Sequence, residues 1–231
     1  MFRDDLDPGQ KKACLRGRRF RHILDVQRVA VGEELNVGLC HGPIGKGRIT
    51  RIAADSLEMD VRWTAAPPSR VDGILLVALP RPPVLKRILA DVTAMGIKQI
   101  YLINSQRVEK SFWNSRALRA QTILQQLVLG LEQACDTVLP EVYLRPYFKP
   151  FVEDELPRIS QGRQGWAAHP GGDCSCPRQV RQPFVLAIGP EGGFIPYEID
   201  KFRALRYSIV DLGQRILRVE TAVTFLLGRL I

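Results

Sequence analysis

Two short, continuous apolar runs constrain the fold of this chain more than any other feature. Residues 74–79 read Ile-Leu-Leu-Val-Ala-Leu, and residues 184–188 read Phe-Val-Leu-Ala-Ile. Uninterrupted apolar runs of this length are typical of strands that are buried on both faces, as in parallel sheets covered by helices. The second part of the chain is therefore predicted to form an α/β domain with a mostly parallel sheet.

The segments around these two runs predict alternating helices and strands. A helix is predicted from the prolines at 82–83 to Gly96, because apolar residues recur between them at near-helical spacing. The other predicted elements are strands at 97–103, 166–168 and 208–212 and helices at 112–137, 196–205 and 220–231, with most of 157–182 as a flexible glycine-rich loop. This alternation supports the same fold class.

The first part of the chain has a different pattern. Residues 20–66 contain short alternating segments at 34–39, 47–52 and 56–61, separated by turn residues. A small β-barrel or sandwich fits this spacing. Residues 65–69 read Ala-Ala-Pro-Pro-Ser, which favours an extended linker. We therefore predict a β domain at 1–68 and an α/β domain at 69–231.

The charge of the chain indicates a polyanionic partner. The 33 Lys and Arg residues exceed the 24 Asp and Glu residues, so the formal net charge is +9. Many of the cations crowd the first thirty positions, and Lys46, Arg48 and Arg51 follow. A dense basic patch is what phosphate binding needs, because each contact neutralises charge and releases counterions.

The sequence carries no sign of export or membrane insertion. The segment MFRDDLDPGQ has no apolar core, and the longest apolar run is too short to cross a bilayer. The five cysteines are odd in number and lack the spacing of a disulfide framework. We expect a soluble, cytoplasmic protein with reduced thiols.

Two loops carry the residues most suited to ligand binding and chemistry. Residues 187–194 read AIGPEGGF and follow a predicted buried strand, and residues 212–222 read LGQRILRVETA and follow another. Glycines permit sharp turns and a close approach of backbone N–H groups to a ligand. Open α/β sheets bind ligands at the carboxyl ends of their strands, where both loops are predicted to lie.

Taken together, GPEGGF and LGxRILRxETA resemble the signature of the ribosomal small-subunit methyltransferase E family, in the SPOUT superfamily of trefoil-knotted methyltransferases. Weaker matches are Arg21-His22-Ile23, Glu132-Gln133 and His169-Pro170. The resemblance implies a PUA-like β domain that binds RNA, a knotted α/β domain, and a homodimer. It also implies transfer of a methyl group from S-adenosylmethionine to N3 of a uridine in 16S ribosomal RNA of the small subunit.

The resemblance, the distribution of positive charge and the chemistry of the reaction together predict three sets of site residues. The cofactor-binding residues are Ala187, Ile188, Gly189, Pro190, Glu191, Gly192, Gly193, Leu212, Gly213, Ile216, Leu217, Arg218, Thr221 and Ala222. The RNA-binding residues are Arg18, Arg19, Arg21, His22, Arg28, Lys46, Arg48 and Arg107. For catalysis, Arg218 is expected to stabilise the uracil anion, and Glu191 or Glu220 to accept the N3 proton or position a water.

The chain departs from the family pattern at three charged positions. Asp91 stands where the family has Lys, Ala94 where it has Glu, and Asp136 where it has Arg. Acidic residues in place of cations weaken phosphate contacts locally. Two alternatives therefore stay open: the same chemistry on transfer RNA or another ribosomal site, and a non-catalytic RNA-binding or ribosome-assembly factor.

Other site types fit the sequence poorly. A P-loop requires Gly five residues before Gly45 and Ser or Thr after Lys46, but these positions hold Cys40 and Gly47. No G-x-G-x-x-G motif follows a strand. His169, Cys174 and Cys176 lie in one loop, but Cys-x-Cys lacks structural-zinc spacing and has no second pair, so no metal is expected.

Overall fold

The computed structural model describes residues 1–231, which divide into two compact units. The first unit comprises Met1–Pro68 and Leu131–Leu139, and the second comprises Ser69–Gly130 and Pro140–Ile231. The break at residue 68 falls in the Pro-Pro segment that the sequence marks as a linker. The sequence did not predict that Leu131–Leu139 belongs to the first unit, because this segment is far from residues 1–68 in the chain.

The first unit is built on a four-stranded antiparallel sheet. Its strands are β1 (Lys12–Arg16), β2 (Glu34–Gly38), β3 (Ile44–Ile52) and β4 (Ser56–Ala65), in the order β1-β4-β3-β2. A short helix α1 (Gly17–His22) and a π-helical turn (Ile23–Gln27) follow β1. Alternation on β3 buries Ile49 and exposes Lys46 and Arg48, so one face of the sheet contributes to a core and the other carries charge.

Hydrogen bonds explain why the distant segment belongs to the first unit. The buried Thr137 donates its hydroxyl to the carbonyl of Gly42 at 2.6 Å, and its own carbonyl accepts from His41 N at 2.8 Å. Both partners lie in the turn between β2 and β3. Sequence periodicity carries no signal for such contacts between segments that are far apart in the chain.

The second unit is an α/β structure with a seven-stranded sheet. Its strands are β5 (Val71–Ala78), β6 (Ile97–Ile103), β7 (Glu141–Arg145), β8 (Gln164–Ala168), β9 (Cys174–Ser175), β10 (Phe184–Ile188) and β11 (Ser208–Asp211). The order is β7-β6-β5-β10-β8-β11-β9, and every neighbouring pair is parallel. This confirms the predicted α/β class with a mostly parallel sheet.

Burial along the central strands requires cover on both faces of this sheet. All five residues of β10 are buried, as are the last six of β5. The helices are α2 (Pro82–Ala94), α3 (Ala120–Ala134), α4 (Phe148–Pro150), α5 (Leu156–Ile159), α6 (Pro196–Ala204) and α7 (Val219–Leu230). Helix α2 packs against α7, and Phe148 of α4 contacts Phe202 of α6 edge-on. These apolar contacts form the core of the second unit.

The prediction of one helix over 112–137 was wrong at both ends. Residues 110–118 form two 3₁₀ turns, and the Ser115 hydroxyl accepts from Ala117 N at 3.1 Å. Helix α3 ends at Ala134 because Cys135 adopts φ = 52° and Asp136 accepts hydrogen bonds from two following backbone N–H groups. At both ends of the predicted helix, side chains thus bond backbone N–H groups and stop the helix, although the apolar residues continue at helical spacing.

Several short elements were missed by the sequence reading. Helix α5 begins at Leu156 and extends into the predicted loop, and β9 lies within that loop. Strand β7 lies at the sheet edge and is only half-buried, so its residues lack the continuous apolar pattern of β5 and β10. None of the helices combines the length and the apolar character needed to cross a membrane.

Candidate ligand-binding and catalytic site

The two motif loops lie at one edge of the parallel sheet. Residues 189–195 follow β10, and residues 212–218 follow β11. Strand β8 pairs with both β10 and β11, so its carboxyl end lies between the two loops. The order of the strands thus brings together segments that are separated in the sequence, at the edge where open α/β sheets bind ligands.

The loop after β10 is a tight turn anchored by one aromatic side chain. Gly193 has φ = 70° and donates its N–H to the carbonyl of Pro190 at 2.7 Å. The next residue, Phe194, is fully buried, and its ring centroid lies 5.1 Å from that of Phe202 in α6. This anchoring leaves Glu191 and Gly192 exposed at the sheet edge.

Arg107, from the segment after β6, packs directly against this turn. Its guanidinium donates a hydrogen bond to the carbonyl of Gly192. A Cβ on Gly192 would lie 2.9 Å from Cδ of Arg107, so a larger residue would displace the arginine side chain. The glycine at this position therefore has a packing reason in addition to its turn geometry.

A buried carboxylate fixes the segment that carries Arg107. Glu198, in the first turn of α6, is 2% exposed and accepts hydrogen bonds from Ser105 Oγ at 3.0 Å and Gln106 N at 2.8 Å. It also accepts from Ile195 N at 3.0 Å. One side chain thus ties the segment after β6 to the start of α6. The sequence reading missed Glu198, although a Glu three residues after a helix start is a recognisable capping signal.

The loop after β11 presents an exposed apolar residue and an arginine. Its entry is fixed by Asp211 Oδ1, which accepts from Gly213 N at 3.1 Å, and Gly213 has φ = 99°. Ile216 is 85% exposed, which is unusual for so large an apolar side chain. Arg218 is exposed at the start of α7, and Ala222 is buried within that helix.

Both carboxylates proposed as proton acceptors are bound to the segment that follows β5. Glu220 forms an ion pair with Arg87 of α2 at 2.9 Å, and Glu191 Oε1 accepts from Arg81 N at 3.3 Å. A hydrogen bond to its own backbone N–H, together with Arg87, holds the pKa of the Glu220 carboxyl below its usual value. Glu220 is therefore a weak base at neutral pH.

His169 follows β8 directly and lies between the two motif loops. Its backbone N–H donates to the carbonyl of Val210 in β11 at 3.0 Å. Its Nδ1 is shielded from solvent and has no hydrogen-bond partner. Burial, followed by the positive charges of Arg107 and Arg203, lowers the pKa of His169. The imidazole is therefore neutral at physiological pH. The site prediction omitted His169, although a histidine at the end of a buried strand is a sequence-level signal.

The predicted RNA-contacting residues of the first unit fall into two groups. Some are held by internal partners: Arg18 pairs with Glu132 at 2.6 Å, Arg19 binds both oxygens of Asp5, and Lys46 donates to Asn36 at 2.7 Å. Arg18 and Lys46 are exposed as well, but the remaining residues, Arg21, His22, Arg28 and Arg48, are exposed without an internal partner for their side chains. The second group is the more accessible to a polyanion.

The three residues that depart from the family pattern have separate structural settings. Asp136 caps the end of α3 through the hydrogen bonds described above. Asp91 lies one turn after Arg87 on α2; burial raises the pKa of its carboxyl, and the charge of Arg87 opposes that rise. Ala94 is the last residue of α2. None of the three lies in the loops that follow β10 and β11.

The fold and the strand-end loops define an α/β protein with a candidate ligand site at the carboxyl edge of a parallel sheet. Residues 67–231 match a family described as an RNA methyltransferase domain, and this span covers more than half of the chain. The chain therefore belongs to the RNA methyltransferase family.

Individual relatives agree with this assignment. The chain is 28% identical over 216 residues to the ribosomal RNA small subunit methyltransferase E of Treponema pallidum, covering 90% of this chain and 80% of the relative. Its fold is similar to that of a ribosomal RNA small subunit methyltransferase E from Neisseria gonorrhoeae bound to S-adenosyl methionine, with TM-score 0.71, 20% identity and coverage of 94% and 90%. A Legionella pneumophila protein in complex with the same cofactor gives TM-score 0.74, 21% identity and the same coverage, 94% and 90%.

Proposed function

We propose that this protein transfers a methyl group from S-adenosylmethionine to N3 of a uridine in 16S ribosomal RNA of the small ribosomal subunit. The observation that carries this proposal is the convergence of the 187–193 and 212–222 loops at one sheet edge. Membership of the RNA methyltransferase family and the printed names of the relatives support it.

The residues of the two loops fit S-adenosylmethionine. Gly192 and Gly193 keep the turn after β10 free of side chains, so that backbone groups can approach a ligand closely. Ile216 offers an exposed apolar surface for an adenine ring, and the neighbouring Leu212 and Leu217 are half-buried. The cofactor supplies a methyl group on a positively charged sulfur, so the protein contributes mainly alignment.

Arg218 is the residue suited to stabilising charge on the substrate. Loss of the N3 proton leaves a negative charge that spreads over the uracil ring and its carbonyl oxygens. A guanidinium offers charge-assisted hydrogen bonds to such oxygens, and it is always protonated. Arg218 is exposed at the start of α7, next to the loop that contains Ile216. Its role is to favour the deprotonated uracil.

The same proposal includes a knotted chain, an RNA-binding domain and a dimer. We expect the loops around β10 and β11 to form a trefoil knot, and the antiparallel sheet of the first unit to serve as a PUA-like RNA-binding domain at 1–68. The exposed cations Arg21, Arg28 and Arg48 are suited to phosphate contacts. We also expect a homodimer that acts in the cytoplasm, and sedimentation of the purified protein tests the dimer.

The experiment that tests the function uses small ribosomal subunits from cells lacking native uridine-N3 methylation. The protein is incubated with these subunits and labelled S-adenosylmethionine, and the RNA is digested for nucleoside mass spectrometry. If the proposal is right, labelled 3-methyluridine will appear in the digest. Label on another nucleoside would assign a different RNA target, and cofactor binding without label in any RNA would indicate a binding-only role.

A further inference from the structure

We propose that His169 is the catalytic base that removes the N3 proton of the uridine. This inference rests on the proposed function, because it concerns a step of that reaction. In that step the N3–H bond breaks, its electron pair stays on N3, and the proton binds a lone pair of the neutral imidazole. The electron pair on N3 is then available to form the bond to the methyl carbon.

The position of His169 in the sheet is the first argument. Strand β8 lies between β10 and β11, and His169 is the first residue beyond its carboxyl end. A Cβ built on Gly193 would lie 3.9 Å from Nδ1 of the imidazole, so the ring is next to the turn after β10. The histidine is therefore central to the edge at which both motif loops converge.

The unpartnered ring nitrogen is the second argument. Nδ1 of His169 is buried and makes no hydrogen bond. A buried polar atom without a partner is costly, so native structures carry few of them, and a catalytic role is one of the reasons for which such an atom is retained. The residue as a whole is only half-buried, and its ring forms no hydrogen bond within the protein, so the part of the imidazole that faces the sheet edge is free to bond a substrate.

The charged groups around the imidazole keep it ready to accept a proton. Arg107 approaches from the segment after β6, and Arg203 approaches from α6. Asp173 also lies nearby, but it is paired with Arg203 at 3.0 Å. The two arginines and burial disfavour the imidazolium form, so the ring is neutral at physiological pH. The same charges favour release of the proton to water after the transfer.

The alternative bases are less suited to the step. Glu220 is paired with Arg87, and its pKa lies below that of an ordinary carboxyl, so its carboxylate is a weaker base. Glu191 accepts a hydrogen bond from Arg81 N and lies on the exposed side of the turn. An imidazole is better suited as a general base at neutral pH, because its ordinary pKa is higher than that of a carboxyl and it is still unprotonated there.

The first test compares pH profiles of methyl transfer to unmethylated small subunits by the wild type and by His169→Asn. We expect His169→Asn to reduce kcat at neutral pH about 10²- to 10⁴-fold, the usual contribution of a general base. Its rate should rise steadily with pH through the range in which the wild-type rate is constant, because only uracil that is already ionised reacts. His41→Asn is the matched control, since His41 is exposed and has φ = 58°, which asparagine tolerates.

Two further measurements do not depend on turnover. Calorimetry should give the same affinity for S-adenosylmethionine in the wild type and in His169→Asn. NMR titration of the histidine-labelled, cofactor-free wild type should give His169 a pKa below the usual value of about 6.5. The acid limb of the wild-type rate profile should follow the same ionisation.

The outcomes separate this inference from the proposed function. Wild type that forms no 3-methyluridine overturns both. Active wild type with an unchanged pH profile in His169→Asn overturns the base assignment alone, as does loss of activity that only matches loss of cofactor affinity. If the variant fails to fold, a wild-type acid limb that does not follow the NMR titration of His169 also overturns it.

Discussion

Individual charged residues in this protein act through the partners that the fold gives them. Glu198 is buried and binds three groups, Glu220 is bound to Arg87, and Arg107 is bound to the turn after β10. The resemblance to the family predicted Glu220 and Arg107 as functional residues, but not which atoms they contact. The contacts of Arg107 and Glu220 hold the two strand-end loops in position. Arg218, in contrast, is exposed.

Arg218 provides a prediction at this scale. Arg218→Ala should lower kcat for methyl transfer about 10²- to 10³-fold, the loss seen when one group that stabilises developing negative charge is removed. The affinity for S-adenosylmethionine should change much less, because the lost contact is to the uracil. Arg178→Ala, which removes an exposed arginine outside both motif loops, is the control. Equal losses in both variants would contradict the role of Arg218.

The ion pair between Asp5 and Arg19 provides a prediction of pH-dependent stability. Burial acts to raise the pKa of Asp5, but hydrogen bonds from Arg19 and from Phe2 N outweigh it, so the pKa is lowered. A carboxyl with a lowered folded-state pKa stabilises the protein above its unfolded pKa, and that contribution is lost as the pH falls through the folded value.

Asp5→Asn should therefore lower the free energy of unfolding by about 1.5–3 kcal/mol at neutral pH, the usual range for a hydrogen bond to a charged group. The difference from wild type should shrink as the pH falls below about 3.9. Urea unfolding at several pH values measures it. Asp4→Asn, at an exposed neighbour, should have little effect, and a difference that persists in acid would exclude the ion pair as its source.

At the scale of elements, the close approach of α3 to α2 depends on a helical glycine. A Cβ on Gly130 would lie 2.3 Å from the carbonyl oxygen of Ala90 and 2.6 Å from Cβ of Thr93. Gly228 in α7 is different, because the nearest atom to a Cβ there is Cε of Met95 at 4.0 Å. A side chain at position 130 would therefore clash with α2, whereas position 228 has room for one.

Gly130→Ala should destabilise the protein by about 1–3 kcal/mol, because the added methyl group forces the two helices apart. Gly228→Ala should instead stabilise it by about 0.5–1 kcal/mol, because alanine has the higher helix propensity and space is available. Thermal unfolding of both variants and the wild type provides the comparison. A stabilised Gly130→Ala would show that the helices can separate at little cost.

At the scale of the whole molecule, the net charge of +9 predicts that RNA binding weakens as the salt concentration rises. The logarithm of the association constant should fall linearly with the logarithm of the salt concentration. Arg21→Ala should reduce the magnitude of this slope by about 0.7–0.9 if Arg21 neutralises one phosphate. Arg51→Ala is the control, because Arg51 is paired with Glu58 at 3.6 Å. Equal slopes for Arg21→Ala and the wild type would exclude a phosphate contact at Arg21.

The sequence by itself determined the class of the fold and the two loops that follow β10 and β11. Continuous apolar runs at 74–79 and 184–188 predicted buried parallel strands, because a strand covered on both faces has no polar side. Glycine-containing segments after two strands identified the strand-end loops. These are local signals, and each can be read within about ten residues of sequence.

Only the tertiary structure decided which of these segments are neighbours. The order β10-β8-β11 places His169 between the two motif loops, Leu131–Leu139 joins the first unit, and Arg87 is bound to Glu220. These relations depend on the pairing of strands and helices far apart in the chain. Local periodicity holds no information about such pairing, because it reports which face of an element is buried and not which partner covers it.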